Sequence, residues 1–263
     1  MTGSFSFLKT LAILIVALTL NACATTGSAD IDENNDPLEG WNRSVFAFNT
    51  ALDKNVLKPI VSGYNAVTPE PVRDGLRNFS ANLSQPFVFL NTLLQGKFDA
   101  AGDTFARFLI NSTVGIAGLF DVATRMDIPR HREDFGQTLG VWGMEPGPYL
   151  VLPFLGPSNF RDTGGTIAGV FADPVTLTLN GVNEGDWNLV YVGTGAFQTT
   201  VRIRPTLDQL YNEKDPYAFA RSAYRQARSF AVCDGRCPTD EDEDDLFDDL
   251  DYDEDEDPDG GSN

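Results

Sequence analysis

The first residues of the chain constrain its fold and location most, because they indicate a covalently attached lipid. Residues 11–20 are apolar except for Thr19 and follow a single positive charge, Lys9. A helix of this length spans about 15 Å, whereas the hydrocarbon core of a bilayer is about 30 Å thick. The segment therefore predicts a cleaved secretory signal rather than a membrane-spanning helix.

The apolar segment leads directly into Leu20-Asn21-Ala22-Cys23, which resembles the lipobox that lipoprotein signal peptidase reads. The alternative is an ordinary secretory signal in which Cys23 happens to lie near the cleavage site. We expect a signal peptide over residues 1–22, lipid attachment at Cys23 and a linker over residues 23–35. Ala24 stands where Asp would resemble an inner-membrane retention signal. The pattern thus favours a stable lipid anchor on the periplasmic face of the outer membrane.

Acidic residues are concentrated at the C-terminus. The chain carries a formal net charge of −19, yet residues 240–259 hold 15 acidic residues and no basic one. The remaining residues have a net charge of −4, which disfavours nucleic-acid binding, because phosphate contacts need a basic surface. We expect a main domain over residues 36–238 and a disordered acidic tail over residues 239–263.

The tail contains a partial match to a calcium-binding loop. Asp255-x-Asp257-x-Asp259-Gly260 has the spacing of such a loop, but the acidic residue expected at its twelfth position would lie beyond the last residue of the chain. We expect a solvated acidic tail, with weak divalent-ion binding left open, and predict neither a metal site nor a cofactor.

Two thiols remain after acylation of the lipobox cysteine. Cys233 and Cys237 bracket Asp234-Gly235-Arg236, and in an oxidising compartment such a pair predicts a small local disulfide. A metal site is disfavoured because the chain contains one histidine.

Most of the main domain has the pattern of amphipathic helices separated by Gly and Pro. Apolar residues recur at helical spacing, as in the series Trp41, Val45, Phe48, Leu52 and Val56. Residues 136–157 combine Gly, Pro and apolar residues, which indicates irregular loops that are buried or face a non-aqueous phase. The predicted fold class is all-α, a compact bundle of amphipathic helices with Gly/Pro-rich apolar loops.

Aromatic residues are abundant, with 19 Phe in the chain. No apolar run after the lipobox is as long as the roughly 18–20 residues that a membrane-spanning helix needs. Each apolar helix face therefore packs into a protein core or lies in the membrane interface, and the sequence leaves both possibilities open.

Catalytic signatures are missing from the sequence. Neither a Gly-x-Ser-x-Gly elbow, nor His-Glu-x-x-His, nor a phosphate-binding Gly-x-x-x-x-Gly-Lys run occurs. His131 lies in the polar stretch of residues 129–134, which is typical of an exposed loop. We therefore predict that the protein is not an enzyme.

Five sequence blocks occur in order over residues 35–230. They are Asp36-Pro37-Leu38-Glu39-Gly40-Trp41-Asn42-Arg43 with Phe46 and Phe48-Asn49; Asn78-Phe79 with Asn82-Leu83, Pro86 and Leu93-Leu94-Gln95-Gly96; Arg107-Phe108 with Asn111-Ser112, Gly115, Gly118 and Phe120-Asp121-Val122-Ala123; Phe135-Gly136-x-Thr138-Leu139-Gly140 with Gly147-Pro148-Tyr149, Leu152-Pro153-Phe154 and Arg161-Asp162-x-Gly164-Gly165; and Asp215-Pro216-Tyr217 with Arg221 and Tyr224. Together these blocks resemble the MlaA/VacJ lipoproteins. Each block alone is a weak match, and the five in sequence are specific.

The resemblance implies a ring-like helical protein embedded in the inner leaflet of the outer membrane. Members of this family remove misplaced phospholipids from the outer leaflet and pass them to a soluble periplasmic lipid carrier, with a trimeric porin as partner. On this hypothesis, the following side chains line the lipid pathway or contact the membrane: Phe46, Phe48, Phe87, Phe89, Phe108, Leu119, Phe120, Trp142 and Tyr149. Close packing and gating would fall to glycines: Gly115, Gly118, Gly136, Gly140 and Gly147.

Two other functions stay open on the sequence. The first is a structural lipoprotein that scaffolds porins without moving lipid, and it differs in failing to pass labelled phospholipid to an acceptor. The second is a lipid hydrolase that uses His131, and it requires loss of fatty-acid release in a His131→Ala variant.

The lipobox hypothesis predicts the fate of a Cys23→Ser variant. Without the thiol there is no diacylated substrate for the lipoprotein signal peptidase, so uncleaved precursor is expected to accumulate. The measurement is the size of the protein on a gel, with incorporation of labelled palmitate as a second readout. Normal cleavage of the variant would contradict the lipobox.

Overall fold

A computed structural model describes residues 36–182 and 187–237. The predicted signal peptide, Cys23, the linker and the acidic tail over residues 239–263 lie outside the described residues. The account below concerns the helical unit from Leu38 onward.

The described part of the chain consists of eleven α-helices and one β-hairpin. The elements are α1 Glu39–Leu52, a π-helical turn Asp53–Leu57, α2 Lys58–Val67, α3 Glu70–Leu83, α4 Gln85–Leu94, α5 Phe98–Thr113, α6 Val122–Arg125, α7 Phe135–Val141, β1 Tyr149–Leu152, β2 Gly156–Asn159, α8 Phe160–Ala172, α9 Pro174–Val182, α10 Trp187–Leu210 and α11 Pro216–Val232. The predicted all-α class is confirmed. Residues 136–157, which we predicted to form irregular loops, instead contribute to α7 and the β-hairpin.

Several helices begin at a polar side chain that binds the backbone of the first turn. The carboxylates of Asp121, Asp134 and Asp215 each accept a hydrogen bond from the N–H three residues further on. Asn159 does the same at the start of α8. These caps satisfy N–H groups that have no partner inside the helix, and each contributes about 1 kcal/mol.

The β-hairpin is attached to α1 by two asparagine side chains. The Asn42 amide donates to the Tyr149 carbonyl (3.1 Å) and accepts from the Val151 N–H (2.8 Å). Asn49 lies seven residues further along the same face of α1. Its amide donates to the Leu152 carbonyl (2.9 Å) and accepts from the N–H of residue 154 (2.8 Å). Each amide therefore bonds the backbone of β1 as a neighbouring strand would.

A small apolar cluster forms between these attachments. Val45, Tyr149, Val151 and Tyr217 are buried together, and the rings of Tyr149 and Tyr217 meet edge to face with centroids 6.2 Å apart. The cluster joins α1, β1 and α11. It is small for a chain of this length, so polar contacts must contribute much of the cohesion.

We predict that Asn42→Leu is strongly destabilising. The substitution removes both amide hydrogen bonds and leaves the Val151 N–H buried without an acceptor, which costs about 2–4 kcal/mol. The readout is the melting temperature of the purified protein in detergent. Asn55→Ala is the matched control, because the Asn55 side chain is exposed and bonds the Ala51 carbonyl of its own helical segment. Equal melting temperatures for the two variants would refute the attachment.

Candidate functional site

The ordinary distribution of polar and apolar side chains is reversed in this protein. Among the described residues, 21 buried side chains are polar or charged, against nine that are hydrophobic. The same residues include 34 large hydrophobic side chains that are exposed. Exposed apolar side chains are normal when scattered, but an apolar surface of this extent marks contact with a membrane or a partner.

Helix α5 illustrates the reversal within one element. Its buried residues are Ala101, Thr104, Arg107 and Asn111. Its exposed large apolar residues are Phe98, Phe105 and Leu109. The spacing is that of an amphipathic helix, but the polar side faces the protein and the apolar side faces outward. Among the described residues, no helix is long and apolar enough to cross a membrane.

The buried polar groups of α5 are paired. Arg107 is 2% exposed and donates from Nη2 to both carboxylate oxygens of Asp121 (2.8 and 3.0 Å) and from Nη1 to the Ile128 carbonyl (2.6 Å). Asn111 donates to Asp121 (3.1 Å) and accepts from the Ala123 N–H (2.9 Å). These bonds fix the segment after α5 against the helix.

A second polar group joins α7, α8 and α11. Arg228 donates to both Asp134 and Asp162, with four nitrogen–oxygen distances of 2.6–3.0 Å, and Tyr224 donates to Asp162 (2.5 Å). Burial by itself raises the pKa of each carboxyl, but the bonds from Arg228 hold both pKa values below 3.8. Their stabilising contribution is therefore present above pH 3.8 and is lost as the pH falls through the lower folded-state values.

The segment between α5 and α6 carries a compact apolar group. Val114, Ile116, Leu119 and Phe120 are all exposed, Val114 by 69%. The backbone of Ile116 has φ of 51°, and that of Gly118 has φ of 91°. A β-branched residue in this left-handed region is strained, and the surrounding bonds hold the segment in place nonetheless.

An apolar cavity of about 240 Å³ lies between α1, the hairpin, the C-terminal half of α10 and α11. Its lining includes Phe46, Leu207, Leu210, Tyr211, Phe219 and Ala223. Small-molecule sites usually measure about 300–1,000 Å³, so this cavity has room for part of an acyl chain rather than for a whole phospholipid. The Lys54 ammonium lies 4.7 Å from the centre of the Tyr211 ring, next to this apolar space.

The predicted lipid-contacting residues occupy three kinds of position. Phe48, Leu119, Phe120 and Trp142 are exposed, whereas Phe46, Phe87, Phe89 and Phe108 are half-buried. Phe48 packs against exposed Phe154, with ring centroids 5.5 Å apart. Tyr149 is 2% exposed and belongs to the apolar cluster, so it does not lie on an outer surface and serves the core.

The predicted glycines lie at close approaches of the backbone. A Cβ atom built on Gly115 would lie 2.3 Å from the Phe120 carbonyl oxygen, and one on Gly118 would lie 2.4 Å from the Asn82 Cβ. One on Gly136 would lie 2.6 Å from Asp162 Oδ1. For Gly140 the nearest atom is Arg161 Nη1 at 2.8 Å, and for Gly147 it is Phe160 Cβ at 3.3 Å.

Three further residues singled out from the sequence are Cys233, Cys237 and His131. Cys233 and Cys237 form a disulfide that closes the end of α11. His131 Nε2 lies 3.0 Å from Asp103 Oδ2, and within the described residues no serine bonds this imidazole. No group of His, Cys, Asp or Glu in the described part of the chain is arranged to hold a metal ion.

Sequence reasoning missed α10 and the lining it gives to the cavity. Gly193, Gly195 and Pro205 interrupt the helical pattern of this segment. The apolar residues at its start, from Trp187 to Val192, were a signal in the sequence that could have revealed the helix. Most of them are exposed.

We predict that Gly136→Ala is severely destabilising. The added methyl group would meet Asp162 Oδ1 at 2.6 Å and the Asp162 Cα at 3.0 Å, and overpacking of this kind costs about 1–3 kcal/mol or more. Gly102→Ala in α5 is the control, since no atom lies within 4 Å of its added Cβ and alanine stabilises a helix by about 0.5–1 kcal/mol. Melting temperatures that shift in the same direction would disprove the close approach.

Known proteins resemble this chain over most of its length. The family model for MlaA lipoprotein matches residues 34–231. An uncharacterised protein of Rickettsia felis is 38% identical over 199 residues, covering 75% of this chain and 78% of its own. The "Intermembrane phospholipid transport system lipoprotein MlaA" of Escherichia coli K12 is 33% identical over 232 residues, covering 87% of this chain and 90% of its own. A solved structure described as the structural basis for maintenance of bacterial outer membrane lipid asymmetry superposes with a TM-score of 0.65 at 33% identity, covering 75% of this chain and 98% of its own. The chain belongs to the MlaA lipoprotein family.

Proposed function

We propose that this protein is anchored through Cys23 to the inner leaflet of the outer membrane and removes mislocalised phospholipids from the outer leaflet. It passes them to a soluble periplasmic carrier for retrograde transport, and a trimeric porin holds it in place. The observation that carries this proposal is the reversed surface: among the described residues, 34 large hydrophobic side chains are exposed and 21 polar or charged ones are buried.

The reversed surface suits a leaflet better than water. An exposed Phe or Leu gains about 1.5–3 kcal/mol when it leaves water for an apolar environment. Residues such as Phe98, Phe154 and Phe171 are more than 70% exposed, so a leaflet around them contributes several times that amount. We place the protein in one leaflet on the strength of this surface and expect the lipid anchor to hold it there.

The polar interior suits the other half of a phospholipid. Moving acyl chains through water costs about 0.8 kcal/mol per CH₂, so a transporter must shield the chains and let the headgroup stay hydrated. Here the exposed apolar residues and the cavity next to Phe46 would meet the chains. Arginines and amides in the interior would meet the headgroup. We expect a ring-like arrangement with a wet lumen, and we assign the role of its gate to the strained segment at Ile116.

A scaffold for porins without transport activity is the second candidate. The exposed apolar surface favours it as well, because obligate partners also cover apolar surfaces. The two functions differ in their effect on surface phospholipid, which a scaffold changes only through porin abundance.

We expect a strain that lacks this protein to carry excess phospholipid in the outer leaflet, measured by surface labelling of phosphatidylethanolamine. Wild-type protein and the Ser62→Glu variant restore the normal level. Ser62 is an exposed polar residue, so a charge there does not replace an apolar side chain. Cys23→Ser and Phe171→Glu fail to restore it, because one lacks the anchor and the other places a charge on a surface that faces acyl chains. Equal amounts of each variant in the cell are required as a control.

Unchanged surface phospholipid together with altered porin levels would replace the transport function by the scaffold. Full restoration by Phe171→Glu would contradict the argument that the reversed surface faces acyl chains.

A further inference from the structure

Two amide oxygens at the junction of α3 and α4 are buried without a partner. Asn82 lies in the last turn of α3 and Gln85 begins α4, and each side chain is 5% exposed. Among the described residues, none bonds Asn82 Oδ1 or Gln85 Oε1. A buried acceptor that leaves water and gains no hydrogen bond destabilises a fold. Two such atoms at one helix junction therefore indicate a ligand that satisfies them.

The bonds of the amide nitrogens leave these oxygens as the unsatisfied ends. Gln85 Nε2 donates to the Ala81 carbonyl (3.1 Å). A carbonyl oxygen can only accept, so this bond fixes which end of the Gln85 amide is the oxygen. Asn82 Nδ2 donates to the Ser112 hydroxyl (2.8 Å). A ligand at this junction must therefore donate hydrogen bonds.

Both residues line a small polar cavity that also contains donors. Its volume is about 10 Å³, which is the room that one water molecule needs. Arg107 of α5 and Arg130, from the segment between α6 and α7, line the same cavity. Each guanidinium carries five N–H donors and no acceptor. The cavity thus combines acceptors that lack a donor with groups that can only donate.

The charges around the cavity disfavour an ion. Asp121 brings a carboxylate to the lining, and Arg107 binds both of its oxygens (2.8 and 3.0 Å). The guanidinium groups of Arg107 and Arg130 repel a cation. A halide has no hydrogen to donate to the amide oxygens, and a phosphate is larger than the cavity. A water molecule both donates and accepts, so it meets both requirements.

We propose that this cavity is a binding site for one structural water molecule, which donates to Asn82 Oδ1 and Gln85 Oε1 and accepts from the guanidinium groups beside them. The water joins the α3–α4 junction to α5 and to the segment before α7. This inference goes beyond the proposed transport function and does not rest on it.

The site adjoins the strained segment that follows α5. Asn78 lines the cavity and donates to the Leu119 carbonyl (3.3 Å). A Cβ atom built on Gly118 would lie 2.4 Å from the Asn82 Cβ, so the backbone of the segment rests directly on α3. The water orients the amide of Asn82 at this contact, and it thereby helps to hold the segment in its left-handed conformation.

The first test is a crystal structure of the full lipidated protein, with separate soaks in rubidium and bromide salts. We expect a density peak about 2.7–3.2 Å from both Asn82 Oδ1 and Gln85 Oε1, without anomalous signal from either soak. Rubidium signal, or oxygen distances shorter than a hydrogen bond, would make this a cation site and overturn the water. Bromide signal would make it an anion site, and a cavity without density would also overturn the proposal.

The second test counts long-lived water molecules in solution by water-oxygen relaxation dispersion. Gln85→Met keeps a side chain of similar length and removes an acceptor of the bound water. We expect this variant to lose about one long-lived water relative to wild type, because a buried water needs two or more polar partners. An unchanged count would contradict the site.

Gln226→Met is the matched control. The Gln226 side chain is exposed on α11 and bonds the Ser222 hydroxyl four residues before it (3.0 Å), as the Gln85 amide bonds Ala81. This variant is expected to keep the wild-type number of long-lived waters, and an equal loss in both variants would refute the assignment. Melting temperatures confirm that the variants fold, and the wild-type crystal structure decides the matter if Gln85→Met does not. Neither measurement involves lipid transfer, so failure of the water site leaves the proposed function standing.

Discussion

The reciprocal bonds between the side-chain amides of Asn42 and Asn49 and the backbone of β1 are the contact on which the rest of the arrangement depends. They place the hairpin on α1, and the hairpin in turn supplies Asn159, which begins α8. The apolar cluster around Val45 forms between the two amides. A protein with so few buried apolar residues cannot rely on hydrophobic burial for its cohesion. Directional bonds of this kind then decide which elements meet.

The reversed distribution of side chains also changes what each polar contact is worth. A buried arginine or carboxylate has no water to bond, so it must be satisfied by other groups of the protein. Arg107, Arg204 and Arg228 each bind a carboxylate with two or more nitrogen–oxygen contacts. Removal of one partner from such a pair leaves a buried charge, which costs about 3–5 kcal/mol. The interior is therefore intolerant of substitution in a way that an apolar core is not.

The sequence predicted the helices well and the outward direction of their apolar faces poorly. Spacing such as that of Trp41, Val45 and Phe48 establishes an amphipathic helix, but the same spacing results whether the apolar side faces a core or a membrane. In the structure Val45 is buried, and Trp41 and Phe48 are exposed, so one apolar stripe is divided between the two. The hairpin escaped prediction because β2 has the sequence Gly-Pro-Ser-Asn, whose residue types are rare in strands. Its attachment to α1 was hidden because the bonded residues lie more than 100 positions apart.

The π-helical turn Asp53–Leu57 sets the rotation of α2 relative to α1 about their common axis. The path from Glu39 to Val67 is helical throughout, and a π turn accommodates one more residue than an α turn. If the same residues formed an unbroken α-helix, α2 would be rotated by about 100° relative to α1. Asp53 and Val61 are both buried and lie eight residues apart, and an unbroken α-helix would separate them by about 80° around its axis. The π turn brings the two side chains close to one face of a single continuous helix, where Asp53 binds Arg204 and Val61 stays buried.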